Sequence, residues 1–102
     1  MLRAPASGPA ALQIRQPLRL SVSYRHSGAG RAQIRARPFF RDGAEEAFSG
    51  SRTIFGQGEG TVTLEIGSRS PATLESVLIQ MIDPADGTVL AETQARLSAS
   101  WR

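Results

Sequence analysis

Residues 18 to 25 read Leu18-Arg19-Leu20-Ser21-Val22-Ser23-Tyr24-Arg25, apolar at every even position and polar or charged at every odd one. Successive side chains of a strand point to opposite faces, so this alternation describes a β-strand with one buried side. The same period continues outward in both directions. Downstream, Ala32, Ile34 and Ala36 alternate with Arg31, Gln33, Arg35 and Arg37, and Val62, Leu64 and Ile66 alternate with Thr61, Thr63 and Glu65. Upstream, Leu12 and Ile14 flank Gln13 in a short first strand. Val77 to Ile82 is apolar on both parities, as a central strand is. Val89 to Trp101 supplies a long last strand, and Ser51 to Phe55 a short one.

The punctuation between these runs is turn chemistry. His26 to Gly30, Gly56 to Gly60, Gly67 to Ala72 and Asp83-Pro84-Ala85-Asp86-Gly87 read as loops, and Asp42-Gly43 as a hairpin turn. Pro38, which lacks an N–H, is expected to bend its strand so that Phe39 and Phe40 follow a bulge. About seven strands, turn signals every 8–12 residues and no 3.6-residue period give an all-β fold. An immunoglobulin-like β-sandwich is expected, ahead of an OB-type barrel, which needs only five strands.

A chain of 102 residues is one domain, large enough for a single core. Met1 to Ala10 has no period and is expected to be a flexible leader, leaving residues 11–102 as the domain. It lacks the apolar stretch of a signal peptide. No apolar run approaches the ~20 residues of a membrane helix. With no Cys and one His, disulfides, thiolate metal sites and most triad chemistry are excluded. Lys and Asn are absent beside 14 Ala and 12 Arg, a composition typical of GC-rich coding.

Candidate chemical motifs are few, and each reads better as structure. Gly56 to Gly60 precedes a strand, whereas a phosphate loop needs a helix N-terminus after it. His26 and Ser27 are neighbours in a turn, point apart and have no third group to orient them, so the histidine is expected to be exposed. Asp83 and Asp86 offer two carboxylates where calcium wants six to eight oxygens. Glu45 and Glu46 are adjacent, and adjacent carboxylates seldom converge on one substrate. Neither a catalytic residue, a metal ligand nor a cofactor is therefore expected, and the chain is read as a non-enzyme.

The charge distribution is the one feature above this background. Residues 1–41 carry eight arginines and no acid, a charge of +8, while residues 42–102 carry −5, leaving a net +3. Arg31, Arg35 and Arg37 share one face of a strand with Gln33 between them, about 7 Å from one residue of that face to the next. This is within a Debye length at physiological salt, so their fields add. Codon usage explains why the cations are arginines; it does not explain the missing acids. Nucleic acid is disfavoured as a partner, because the residues interleaved with the arginines are core-facing Ala32, Ile34 and Ala36 rather than stacking aromatics.

From Ser27-Gly28-Ala29-Gly30-Arg31-Ala32-Gln33-Ile34, through Thr61-Val62-Thr63-Leu64, the Val77–Ile82 run and the Asp83–Gly87 turn, to a last strand ending in Trp101, the chain resembles the CsgC/CsgH-like curli assembly chaperones. Gly28 and Gly30 stand where CsgC-type members carry a Cys-x-Cys pair, so the CsgH branch is the better match and a thiol role does not carry over. The resemblance implies a periplasmic immunoglobulin-like chaperone, its signal peptide outside this sequence, that holds curli amyloid subunits back from nucleation by transient electrostatic contact. The partner-binding positions it implies are Arg31, Gln33 and Arg35. Strand parity adds Arg37, and sequence proximity adds Arg25 and Arg41. A monomer, without cofactor or membrane insertion, is expected. The competing expectations are a structural or adhesive β-sandwich module of a larger bacterial surface protein and an OB-type nucleic-acid binder.

Overall fold

Ten β-strands and one short 3-10 helix make up the described chain, residues 2–4, 10–28 and 30–102 of a computed structural model. In chain order the strands are β1 (Leu2–Arg3), β2 (Ala10–Leu12), β3 (Leu18–His26), β4 (Arg31–Asp42), β5 (Ala47–Ser49), β6 (Ser51–Phe55), β7 (Gly58–Ser68), β8 (Ala72–Ile82), β9 (Val89–Ala95) and β10 (Ala99–Trp101), with the 3-10 turn at Ala44–Glu46. One sheet runs β1-β3-β7-β5. The other runs β2-β10-β8-β4-β6, with β9 also pairing β8. Every pairing is antiparallel except β2 with β10. The two sheets form a β-sandwich of immunoglobulin-like type.

The period-two pattern decides which residues meet inside. Leu20 and Val22 of β3 lie opposite Leu64 and Val62 of β7 on the inner face of the first sheet. Ala32, Ile34 and Ala36 of β4 and Val77, Ile79 and Met81 of β8 line the inner face of the second. Trp101 is fully buried; its indole N–H donates to the Gln16 carbonyl at 2.8 Å and its ring lies 5.9 Å from that of Phe40. Arg102 fastens the end of the chain, donating to the Ala72 carbonyl and the Thr73 hydroxyl.

Several expectations change on folding. β4 continues through Pro38 without interruption, and its register shifts fall later, between Phe39 and Phe40 and between Phe40 and Asp42. Pro38 sits opposite Val77 while the edge strand β6 has already ended at Arg35, so its missing N–H faces the side with no ladder to break. Asp42-Gly43 is not a hairpin turn. Gly43, at φ 77°, turns the chain into the 3-10 segment and on to β5 in the opposite sheet. A Cβ there would lie 2.2 Å from the Pro71 carbonyl oxygen. Gly58 to Gly60 belongs to β7 rather than to a loop, and the expected single last strand is two, β9 and β10. The strand expected around Leu12 to Ile14 is β2, Ala10–Leu12, with Ile14 in the turn that follows. Leu2 and Arg3 of the expected leader pair with β3, whereas residues 5–9 lie outside the described residues.

Candidate functional site

The outer faces of the two sheets differ in kind. On the first sheet, the outward residues of β3 meet complementary partners on β7: Arg19 opposite Glu65, Ser21 opposite Thr63, Ser23 opposite Thr61 and Arg25 opposite Glu59. Directly opposed residues in an antiparallel pair have Cβ atoms about 5 Å apart, close enough for opposite charges to cancel each other's field. Arg25 and Glu59 make an ion pair at 3.5 Å, with side chains 68% and 71% exposed. Arg25 is thus on the opposite sheet from Arg31, and sequence proximity misplaced it. Along β3 and β7 the charges of this face are paired; at its margins stand Arg3, opposite Ser23, and Phe48, whose ring covers Gly67 with the Arg69 guanidinium 5.7 Å from its centroid.

The second sheet is different. Arg31, Gln33, Arg35, Arg37 and Phe39 point outward along β4, and their partners bear no carboxylate. On β6 these are Phe55 beside Arg31, Thr53 beside Gln33 and Ser51 beside Arg35. On β8 they are Ile82 beside Gln33, Gln80 beside Arg35, Leu78 beside Arg37 and Ser76 beside Phe39. Four of the six expected site residues therefore converge on one face, as the parity of β4 dictates. Arg41 does not. The register shifts leave it unpaired between Phe40 and Asp42, and its side chain lines a separate cleft of about 110 Å³ with Thr73, Glu75 and Ser98.

The side chains along this face are held to different degrees. Arg35 donates from Nε (3.2 Å) and Nη2 (3.0 Å) to Oε1 of Gln80, and Gln80 Nε2 donates to Glu92 Oε2 on β9 at 3.1 Å. Gln80 is only 6% exposed. A hydrogen-bonded chain thus crosses three strands and links the guanidinium to a carboxylate through a neutral amide. Gln33 donates to the Ser51 hydroxyl at 3.2 Å. Arg31 and Arg37 are exposed at the two ends of the stripe and carry its accessible charge.

Sequence reasoning missed the apolar members of this face. Phe55 is 75% exposed and Phe39 47% exposed, both large rings on the solvent side. Ile82 also faces outward, opposite Gln33 and Val89, yet it is buried and does not belong to the central core. Phe55 stands on a strand whose cross-strand neighbour is fixed only by long-range pairing, so no local pattern placed it beside Arg31.

The remaining motifs resolve into structure. His26 is buried rather than exposed, with Nε2 3.0 Å from the Gly30 carbonyl oxygen, which has only lone pairs to offer, so Nε2 bears the proton. Asp83 Oδ1 accepts from the Ala85 N–H and Asp86 Oδ1 from the Thr88 N–H, each at 2.9 Å. The bonds from the Thr88 side chain and backbone hold the Asp86 carboxyl below the usual carboxylate range. Among the described residues no cluster of three or more His, Cys, Asp or Glu is arranged to hold a metal ion, and no helix is long and apolar enough to cross a membrane.

No family model and no curated protein matches this chain. Among solved structures it is similar to WR4, an MSP family member of C. elegans, at 11% identity over 89% of this chain and 91% of that one, with a TM-score of 0.45. It is also similar to SSP-19, an MSP-domain protein like family member of Caenorhabditis elegans, at 13% identity over 88% and 92% of the two chains, with a TM-score of 0.42.

Proposed function

We propose that this β-sandwich module is a non-enzymatic, periplasmic polypeptide-binding chaperone that uses the outer face of β4 to delay amyloid nucleation by curli subunits. The observation that carries the reading is the row Arg31, Gln33, Arg35 and Arg37, flanked on both neighbouring strands by residues without a carboxylate. The sequence resemblance to CsgC/CsgH-like chaperones supplies the identity of the partner. A face of uncancelled positive charge raises the encounter rate with acidic or polar extended chains without requiring deep burial. Weak contact with a rare nucleus then suppresses growth at low stoichiometry. The same arginines oppose incorporation of the chaperone into a cross-β stack, where like charges would repeat every 4.7–4.8 Å.

The competing proposal is a structural or adhesive β-sandwich module within a larger bacterial surface protein. A thioflavin fibrillation assay separates the two. Sub-stoichiometric wild-type protein is expected to lengthen the lag of a purified curli subunit. The R31Q/R37Q variant, which keeps the Arg35 hydrogen-bonded chain, is expected to lose most of that effect. Raising salt from low to physiological levels is expected to shorten the lag in the wild-type reaction more than in the variant. An unchanged lag with the wild type, or an R31Q/R37Q variant as active as the wild type, refutes the chaperone reading.

A further inference from the structure

The charged stripe does not stand alone: every step along it except Arg35, which lies between Ser51 and Gln80, has an apolar neighbour on an adjacent strand. Phe55 lies across from Arg31, Ile82 across from Gln33, and Leu78 across from Arg37, with Phe39 closing the row. Arginine and aromatic side chains without interspersed carboxylates are the composition found at the buried centres of protein interfaces. On the first sheet the large outward ring is Phe48, half-buried over Gly67 beside Arg69, whereas Phe55 and Phe39 on the second sheet are exposed. The two exposed phenylalanine rings therefore accompany the uncancelled charge.

We infer that this face recognises an extended polypeptide segment in which carboxylates and aromatic or aliphatic side chains share one side, with the Phe55–Arg31 pair as its specificity-determining anchor. The inference rests on the polypeptide-binding reading above and names the chemistry of its partner. Geometry selects an extended occupant. Outward residues on β4 repeat about every 7 Å, which is the i, i+2 spacing of a second strand and not that of a helix face. From Arg31 to Phe39 the row covers nine residues, eight steps and about 26 Å, so an occupant of about nine residues spans it. Charge selects the carboxylates: Arg31 and Arg37, about 20 Å apart, are the accessible cations, while Arg35 is engaged with Gln80. Phe55 and Phe39 select the apolar side chains, each ring offering a flat, rigid surface near a guanidinium.

The test uses the full chain and four fluorescent nonapeptides in anisotropy titrations at low and physiological salt. One carries aspartates and tyrosines on the same i, i+2 face; one has serine for each tyrosine; one has serine for each aspartate; and one places the aspartates and tyrosines on opposite faces. Since most truncations at an interface cost a tenfold loss or less, the first peptide is expected to bind about five- to tenfold more tightly than the second and the fourth. F55S, at a position too exposed to endanger the fold, is expected to erase that advantage while leaving affinity for the aspartate–serine peptide unchanged. R31Q is expected to weaken all three aspartate-bearing peptides. Equal binding of the first, second and fourth peptides, or an advantage that survives in F55S, overturns the anchor. So does an oligothymidine 12-mer that binds more tightly than any peptide and responds to F55S. If instead no peptide binds and fibrillation is also unaffected by the wild type, the underlying chaperone reading fails, a different result from binding that depends on charge alone.

Discussion

Methionine placed in turn at Arg31, Arg35 and Arg37 removes the same guanidinium three times while keeping a similar stem, yet the structure assigns the three positions different costs. Arg31 and Arg37 are exposed, and neither holds a buried group in place. Replacing them is expected to change stability by about 0.5 kcal/mol or less, the usual range for surface positions. Arg35 is the donor for Oε1 of Gln80, through two hydrogen bonds of 3.2 and 3.0 Å, and Gln80 is 6% exposed. Without Arg35 that oxygen is left in a site water reaches poorly, at a cost of about 1–3 kcal/mol. In a domain of this size each kcal/mol lowers the melting midpoint by roughly 4–8 °C.

The assay is urea unfolding followed by fluorescence of the sole tryptophan, Trp101, which is fully buried in the core, away from the outer face that carries the substitutions. A second variant closes the argument. Gln80→Leu in the R35M background replaces both partners by apolar groups, so most of the lost stability is expected to return. The double-mutant cycle should then give a coupling of at least about 0.5 kcal/mol, the threshold for residues that interact directly. Equal unfolding midpoints for R31M, R35M and R37M refute the reasoning, as does simple additivity of R35M and Q80L. The result also bears on function: a triple neutralisation conflates lost charge with lost stability, whereas R31Q/R37Q does not.

Three further outcomes are expected. Trp101→Phe keeps the ring against Phe40 but leaves the Gln16 carbonyl without its 2.8 Å donor, and should cost about 1–2 kcal/mol, while Trp101→Ala should cost about 3–5 kcal/mol in chemical unfolding monitored by circular dichroism. Gly43→Ala combines a positive φ with a Cβ 2.2 Å from the Pro71 carbonyl oxygen, so a loss above about 1 kcal/mol is expected, and a melt matching the wild type would contradict the close approach. Arg52→Ser removes a guanidinium whose Nε donates to the Thr63 carbonyl at 3.3 Å on the side of β7 that β5 covers only from Ile66 to Ser68. Sedimentation of this variant should show concentration-dependent association through the exposed strand edge, and a monomer at every concentration would refute that role.

What was legible in the sequence was the set of strands whose own residues fix their inner face. The alternation in β3, β4 and β7 and the doubly apolar run of β8 each need only period two and a core to bury against. What was not legible depends on pairing between distant residues. Gly60 is read as loop punctuation, yet it lies in β7 opposite Tyr24, whose ring covers it; Gly67 lies likewise under the Phe48 ring. Proximity in sequence also failed for Arg25, because β3 and β4 are consecutive in the chain but belong to different sheets. The arginine stripe was legible through parity alone. Phe55 and Gln80 were not, since each joins the site from a neighbouring strand.

The acid-free first 41 residues acquire two different meanings once the sheets are formed. In β3, Arg19 and Arg25 meet Glu65 and Glu59 on β7, so the acids missing locally are supplied from some 34 to 46 positions downstream, and the charge cancels across the ladder. In β4 the neighbours supplied by folding are Phe55, Thr53 and Ser51 on one side and Ile82, Gln80, Leu78 and Ser76 on the other. The carboxylate that hydrogen bonds link to this row among the described residues, Glu92, is held a strand away behind Gln80. A solvated face generated by codon usage alone would be expected to pair its arginines as β3 does. The contrast between the β3–β7 ladder and the two ladders of β4, within one small domain of one composition, locates the uncompensated field along β4, the surface on which the proposed binding role rests.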